Sequence, residues 1–167
     1  MIDQAALSAV QGPLKESYKA DPDGAKLTLS ATGRLGDGVT CSVETGRAMV
    51  RAGLHPLTGG DGLSACSGDM LLEALVACAG VTLGAVATSL GIEVGDARLT
   101  AEGDLDFRGT LSVSKEAPVG FSAIRLRVDL DAEVDAEQRA LLEKLTERFC
   151  VVFQTLANPP ALSVQFA

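Results

Sequence analysis

From Lys26 the chain alternates. Leu27, Leu29 and Ala31 are separated by Thr28 and Ser30, the period of two that turns one face of a strand into a core. Val39, Cys41 and Val43 repeat the pattern against Thr40, Ser42 and Glu44. The intervening Gly36-Asp37-Gly38 has the turn chemistry of a hairpin. Arg47 to Leu54 is a candidate third strand. The stretch Gly53 to Gly68, with Pro56, Gly59, Gly60 and Gly62 around Asp61, reads as a loop. No Lys-Ser/Thr follows its glycines, so a phosphate-binding loop is not indicated.

The periodicity then changes. Met70 to Leu90 is almost wholly apolar or small, with Glu73 its one charge, which predicts a helix buried on every side. Its length would also suit a membrane span. Gly80, Gly84, Thr82, Thr88 and Ser89 dilute the hydrophobicity, however, and no basic residue flanks either end, so a soluble core helix is expected. Ser67 is placed to cap its start and Gly91 to stop it. Beyond it, Leu99, Ala101, Leu105 and Phe107 alternate with polar residues, as do Ile124, Leu126, Val128 and Leu130, predicting two half-exposed antiparallel strands. Asp135 with Gln138 makes a capping-box start for a helix whose apolar face is Leu142, Leu145, Phe149 and Val152. Pro159-Pro160 ends that element, and Leu162, Val164 and Phe166 predict a last strand. Strands in hairpin-like pairs, not in strict alternation with helices, indicate an α+β fold. The 167 residues are expected to form a single domain, with about 1–24 as an N-terminal extension.

Composition narrows the function. Aromatics are only 4%, with no Trp, so stacking platforms for bases or sugars are not expected. A net charge of −8 repels phosphate backbones and anionic lipid, which argues against nucleic acid and membrane partners. The first residues, Met1-Ile2-Asp3-Gln4, lack the basic region of a secretory signal, so the expected location is cytoplasmic.

Candidate chemistry lies with Cys41, Cys66, Cys78 and Cys150, beside a single histidine, His55. No C-x-x-C pair and no zinc spacing occurs, and metal binding by Cys66, Cys78 and His55 finds no support in their spacing. In a reducing compartment such thiols are inert core residues or reactive ones. A reactive thiol needs a cation, a hydrogen-bond donor or a helix N-terminus to form its thiolate. By periodicity alone Cys78 is a core residue among Leu71, Ala74, Leu75, Val81 and Ala85, whereas Cys150 borders Glu143, Thr146, Glu147 and Gln154 at helical spacings. Cys41 takes the inward phase of a strand, Cys66 lies just ahead of a helix, and His55 in Leu54-His55-Pro56 reads as a surface loop residue.

Two segments carry a resemblance. Cys66-Ser67-Gly68-Asp69-Met70-Leu71-Leu72-Glu73-Ala74-Leu75-Val76-Ala77-Cys78 and Glu147-Arg148-Phe149-Cys150-Val151-Val152-Phe153-Gln154-Thr155-Leu156 resemble the two cysteine motifs of the OsmC/Ohr family. The resemblance implies antiparallel sheets around two central helices in an intertwined homodimer. It also implies thiol-dependent reduction of organic hydroperoxides, with Cys78 attacking and Cys150 resolving, an external dithiol as reductant, and no cofactor or metal. Pairing of the cysteines would bring their Cα atoms to roughly 4.4–6.8 Å. The family's activating arginine is matched by Arg34 in Thr32-Gly33-Arg34-Leu35-Gly36, in preference to Arg47 or Arg51.

The chain departs from the peroxidase pattern where strongly active members have the Glu of an Asn-Pro-Glu: here that position is Gly68. Asp69 and Glu73 fall on other sides of the helix from Cys78. The alternative to a peroxidase is therefore an OsmC-like fold that binds an apolar small molecule or protects against stress without turnover.

Overall fold

A computed structural model describes residues 4–35, 41–43, 52–63 and 65–166. In order these form α1 (Gln4–Ala20), a 3₁₀ turn (Pro22–Ala25), β1 (Lys26–Leu35), β2 (Cys41–Val43), β3 (Ala52–Gly53), a second 3₁₀ turn (Pro56–Thr58) and β4 (Ala65–Cys66). There follow α2 (Ser67–Leu90), β5 (Arg98–Asp106), α3 (Phe107–Thr110), β6 (Ala123–Asp129), α4 (Ala136–Phe149) and α5 (Val151–Ala157). One sheet has the order β2-β1-β5-β6, and β3 and β4 make a short parallel pair. The expected hairpin is present as an antiparallel register of Gly33 on Val43 and Leu35 on Cys41. Its turn at Gly36-Asp37-Gly38, with Val39, Thr40, Glu44, Arg47 and Arg51, lies outside the described residues.

The segments collect into two compact units. The first (Met1–Ala31, Glu44–Glu73, Thr100–Arg127) has a core of Tyr18, Ala25, Phe107 and Leu111, flanked by Leu14, Leu27, Leu57 and Leu105. The stretch expected as an N-terminal extension is largely helix α1. It is tied down by Tyr18, whose hydroxyl donates to the Leu57 carbonyl at 2.6 Å, and by Gln11, whose Nε2 donates to the Thr58 carbonyl at 3.2 Å.

The second unit (Thr32–Val43, Ala74–Leu99, Val128–Ala167) packs Leu83, Val86 and Ala87 of α2 with Val94, Ala97 and Leu142. Each fully buried Leu or Val of this kind contributes about 1.5–3 kcal/mol of transfer free energy. Gly91 stops α2 as expected. It takes φ +65°, and its N–H and that of Ile92 return to the carbonyls of Thr88 and Ala87, the two bonds that close a helix with a left-handed residue.

Three expectations need correction. First, α2 is not buried on every side of one chain. Leu72, Leu75, Val76, Ala79 and Leu83 are inside, but Val81 is 40% exposed, because helical periodicity presents only one arc of the helix to its own core. Half of its most apolar stretch is buried inside the protein. Second, Phe107 does not end a strand. It opens α3 under an Asp106 cap whose Oδ1 accepts from the Arg108 N–H at 3.1 Å, though its ring stays buried. Third, Leu162, Val164 and Phe166 form no strand. Phe166 is 97% exposed, since a strand exists only where a second strand takes its backbone hydrogen bonds.

Candidate functional site

The candidate site lies within the second unit, where the start of α5 meets the middle of α2. Its geometry begins with α4. Asp135 Oδ1 accepts from the Gln138 N–H at 2.8 Å, and Gln138 Oε1 accepts back from the Asp135 N–H at 3.4 Å, so the expected capping box sets the start of the helix. The sequence periodicity runs on through Cys150, but the helix does not. Cys150 takes φ −71° and ψ 107°, an extended conformation that separates α4 from α5. The β-branched pair Val151-Val152 lowers the helical propensity there.

Cys150 joins the two helices through all its groups. Its N–H donates to the Thr146 carbonyl at 2.9 Å and closes α4. Its carbonyl accepts from the Gln154 N–H at 2.9 Å, and its Sγ accepts from the Phe153 N–H at 3.4 Å, which opens α5. The break also turns the side chain inward. Cys150 is fully buried, not bordering a polar face as its helical spacings suggested. Thr146, one turn earlier, is buried too, and its hydroxyl has no hydrogen-bond partner in the described structure.

Cys78 is half-buried on α2 and lies near enough to Cys150 for each thiol to bear on the other's ionisation. Burial opposes its ionisation. Against that stand donors from the Val152 backbone, the Cys150 thiol, the Val151 backbone and the Thr82 hydroxyl, and together they hold Cys78 below the ordinary thiol range. Cys150 goes the other way. Burial, and the cost of a second negative charge beside Cys78, push it up to about 11. The two thiols are thus driven apart, Cys78 toward ionisation and Cys150 toward keeping its proton.

The other candidates sit elsewhere. Arg34 on β1 has its Nη1 3.7 Å from Asp96 Oδ2, with both side chains more than half exposed, and it is not among the leading contributors to the ionisation of Cys78. His55 in the first unit caps a 3₁₀ turn. Its Nδ1 accepts from the Leu57 N–H at 3.1 Å and its ring stacks on Phe107 at 5.1 Å, a structural role. Cys66 is half-buried at the end of β4, and the Cys41 side chain lies outside the described residues. Among the described residues no His, Cys, Asp or Glu side chains group as a metal site, so Cys66, Cys78 and His55 do not form one. Sequence reasoning missed Thr82 and the amides of Val151 and Val152. The first was readable as a hydroxyl one turn from Cys78; the amides were not, because only the break at Cys150 frees them.

Comparison with known proteins places this geometry in context. The family model described as OsmC-like protein matches residues 59–165. Among solved structures, the chain is similar to an OsmC-like hydroperoxide resistance protein from Jannaschia sp. CCS1. The TM-score is 0.58 and the identity 15%, over 83% of this chain and 91% of that one, a likeness of fold. No curated protein sequence matches.

Proposed function

We propose, from the premise that this chain belongs to the OsmC-like protein family, that it reduces organic hydroperoxides with Cys78 as the attacking thiol and Cys150 as the resolving one. The observation that carries this reading is the neighbouring thiol pair with divided ionisation, Cys78 lowered and Cys150 raised. A role in peroxide stress is further supported by the hydroperoxide resistance protein of the same fold.

The steps follow from the pair. The Cys78 thiolate attacks a peroxide oxygen of R–O–O–H, an S–O bond forms as the O–O bond breaks, and Cys78 becomes a sulfenic acid. The departing alkoxide takes the Cys150 proton and leaves as the alcohol. Cys150, now a thiolate, attacks the sulfenic sulfur and forms the disulfide, expelling hydroxide that solvent protonates to water. An external dithiol then reduces the disulfide by exchange and is itself oxidised. Free thiols and a dithiol donor suit a reducing, cytoplasmic location.

Two further assignments belong to this reading. A second copy of the chain would cover the exposed side of α2, where Ala74, Val81 and Ala85 flank Cys78, giving the peroxide an apolar, water-poor approach. Arg34 as activating cation requires its guanidinium to exchange Asp96 for the sulfur.

With a dithiol reductant present, wild-type protein is expected to consume cumene hydroperoxide, and Cys78→Ser to consume none. Cys150→Ser should stop after one oxidation, leaving a sulfenic acid that a trapping reagent detects on Cys78. No consumption by wild type, with no Cys78–Cys150 disulfide after oxidation, defeats the proposal in favour of a non-catalytic small-molecule-binding protein.

A further inference from the structure

We infer that His55 makes the docking of α1 sensitive to pH: its neutral ring closes the Pro56–Thr58 turn that holds α1, and a proton on Nδ1 takes that closure away. The device belongs to the first unit and is separate from the thiol pair.

The turn hangs on one residue. The His55 carbonyl accepts from the Thr58 N–H at 2.8 Å, the Gly60 N–H at 3.1 Å and the Thr58 hydroxyl at 2.9 Å. Its Nδ1 accepts from the Leu57 N–H at 3.1 Å. A ring nitrogen that accepts carries no proton, so the imidazole in this state is neutral, with its hydrogen on Nε2. Asp21, Asp106 and Asp135 cap their own turns or helices through carboxylate oxygens, which remain acceptors at neutral pH. An imidazole cap differs, because this side chain changes charge between about pH 5 and 8.

What the turn holds is α1. The carbonyls of Leu57 and Thr58 accept from the Tyr18 hydroxyl at 2.6 Å and from Gln11 Nε2 at 3.2 Å. Tyr18 is buried in one cluster with Phe107, and Phe107 is the ring on which His55 stacks at 5.1 Å. A proton on Nδ1 would set two N–H groups face to face. The Leu57 N–H then loses its acceptor, and both polar anchors of α1 sit on the segment that must move.

The charged groups around the turn come from three helices. Asp69, in the first turn of α2, interacts electrostatically with His55, and a carboxylate there favours the imidazolium. On α1, Lys15 is half-buried and opposes a further cation, while Glu16 and Lys19 pair with each other at 2.7 Å. On α3, Arg108 is bound to Asp106, and in the following loop Asp61 accepts from the Leu63 N–H at 2.9 Å. Burial raises the Asp69 carboxyl above the usual range, so its protonation has to be told apart from that of His55.

The chain has one histidine, which makes the test specific. Hydrogen exchange of the full-length protein is followed by mass spectrometry between about pH 8 and 5, each rate being compared with the intrinsic rate at the same pH to give a protection factor. Protection in α1 should fall about fivefold as the pH drops, the factor for losing a cap acceptor, while α4 keeps its value. His55→Asn offers an oxygen to the same N–H and does not titrate, so its α1 protection should be level with pH. If that variant does not fold, His55→Ser is used with the same expectation. Asp69→Asn should retain the fall. Wild-type α1 protection that is independent of pH overturns the inference, as does a matching fall in α4 or a fall that survives in the capping variant. A fall abolished by Asp69→Asn assigns the effect to that carboxyl and overturns it equally.

Discussion

The divided ionisation of the two thiols has a consequence for stability against pH. Cys150 is raised from the ordinary 9.0 to about 11, so above 9.0 the unfolded chain gives up a proton that the folded chain retains. Stability is then fully present below 9.0 and is lost as pH rises toward 11. At about 1.4 kcal/mol per unit, the whole shift sets an upper limit of about 3 kcal/mol for that loss. Cys78 contributes with the opposite sign. Its folded pKa is lowered, so its contribution is present above 9.0 and fades as pH falls through the folded value. Together they predict a stability maximum near 9.0 from this pair.

Cys150→Ala isolates the effect. It removes the falling limb, and it also shrinks the rising limb because Cys78 loses a neighbour that lowers its pKa. At neutral pH the variant should be weaker by about 1–3 kcal/mol, since a fully buried sulfur is deleted and the Phe153 N–H loses its acceptor. The assay is urea denaturation of wild type and variant at closely spaced pH values, which subtracts the lysines and the tyrosine that titrate in the same range. Parallel profiles above pH 9 would refute the assignment of Cys150 as the proton-retaining member of the pair.

Two further outcomes concern the frame that carries the site. Asp104 is held well below the usual carboxylate range, first by the Arg125 guanidinium and then by the Thr28 hydroxyl, which donates at 2.6 Å. Its stabilising contribution is lost as pH falls, and Asp104→Asn should flatten the acid limb of a thermal-melting profile, whereas an unchanged limb would show that the carboxylate is not the group responsible. Gly95 has φ +63°, and a methyl group there would press on the Asp131 carbonyl, so Gly95→Ala should cost more than about 1 kcal/mol in urea denaturation; a neutral result would contradict the left-handed backbone at that position.

Much of the frame was legible because it is written in local periodicity. The period of two at Leu27, Leu29 and Ala31 specified β1. The long apolar run with Gly91 behind it specified α2, and the Asp135–Gln138 pair specified where α4 starts. Each of these signals lies within a few residues of the feature it encodes, and the physics involved, steric preference and unpaired backbone groups at helix ends, acts over that same distance. Failures came where a local pattern needed something beyond itself. Leu162, Val164 and Phe166 have the alternation of a strand but no described partner to pair with, and the outward side of α2 is apolar without being covered by its own chain.

The site divides along the same line. Sequence alone singled out Cys78 and Cys150 as the residues to watch, by their resemblance to two cysteine motifs, and it put Arg34 and Gly68 beside them as the points of interest. It could not say that Cys150 would leave the helix, turn its sulfur inward and meet Cys78. That requires two segments remote in the chain to pack against each other, and the free energy that holds them together is the burial of Leu83, Val86 and Leu142 across the α2–α4 contact, a property of neither segment by itself. The same packing sets which thiol ionises. Both cysteines have the same intrinsic acidity, and only the three-dimensional arrangement brings the amides of Val151 and Val152 to bear on Cys78 while leaving Cys150 buried beside a sulfur shifted toward carrying the charge.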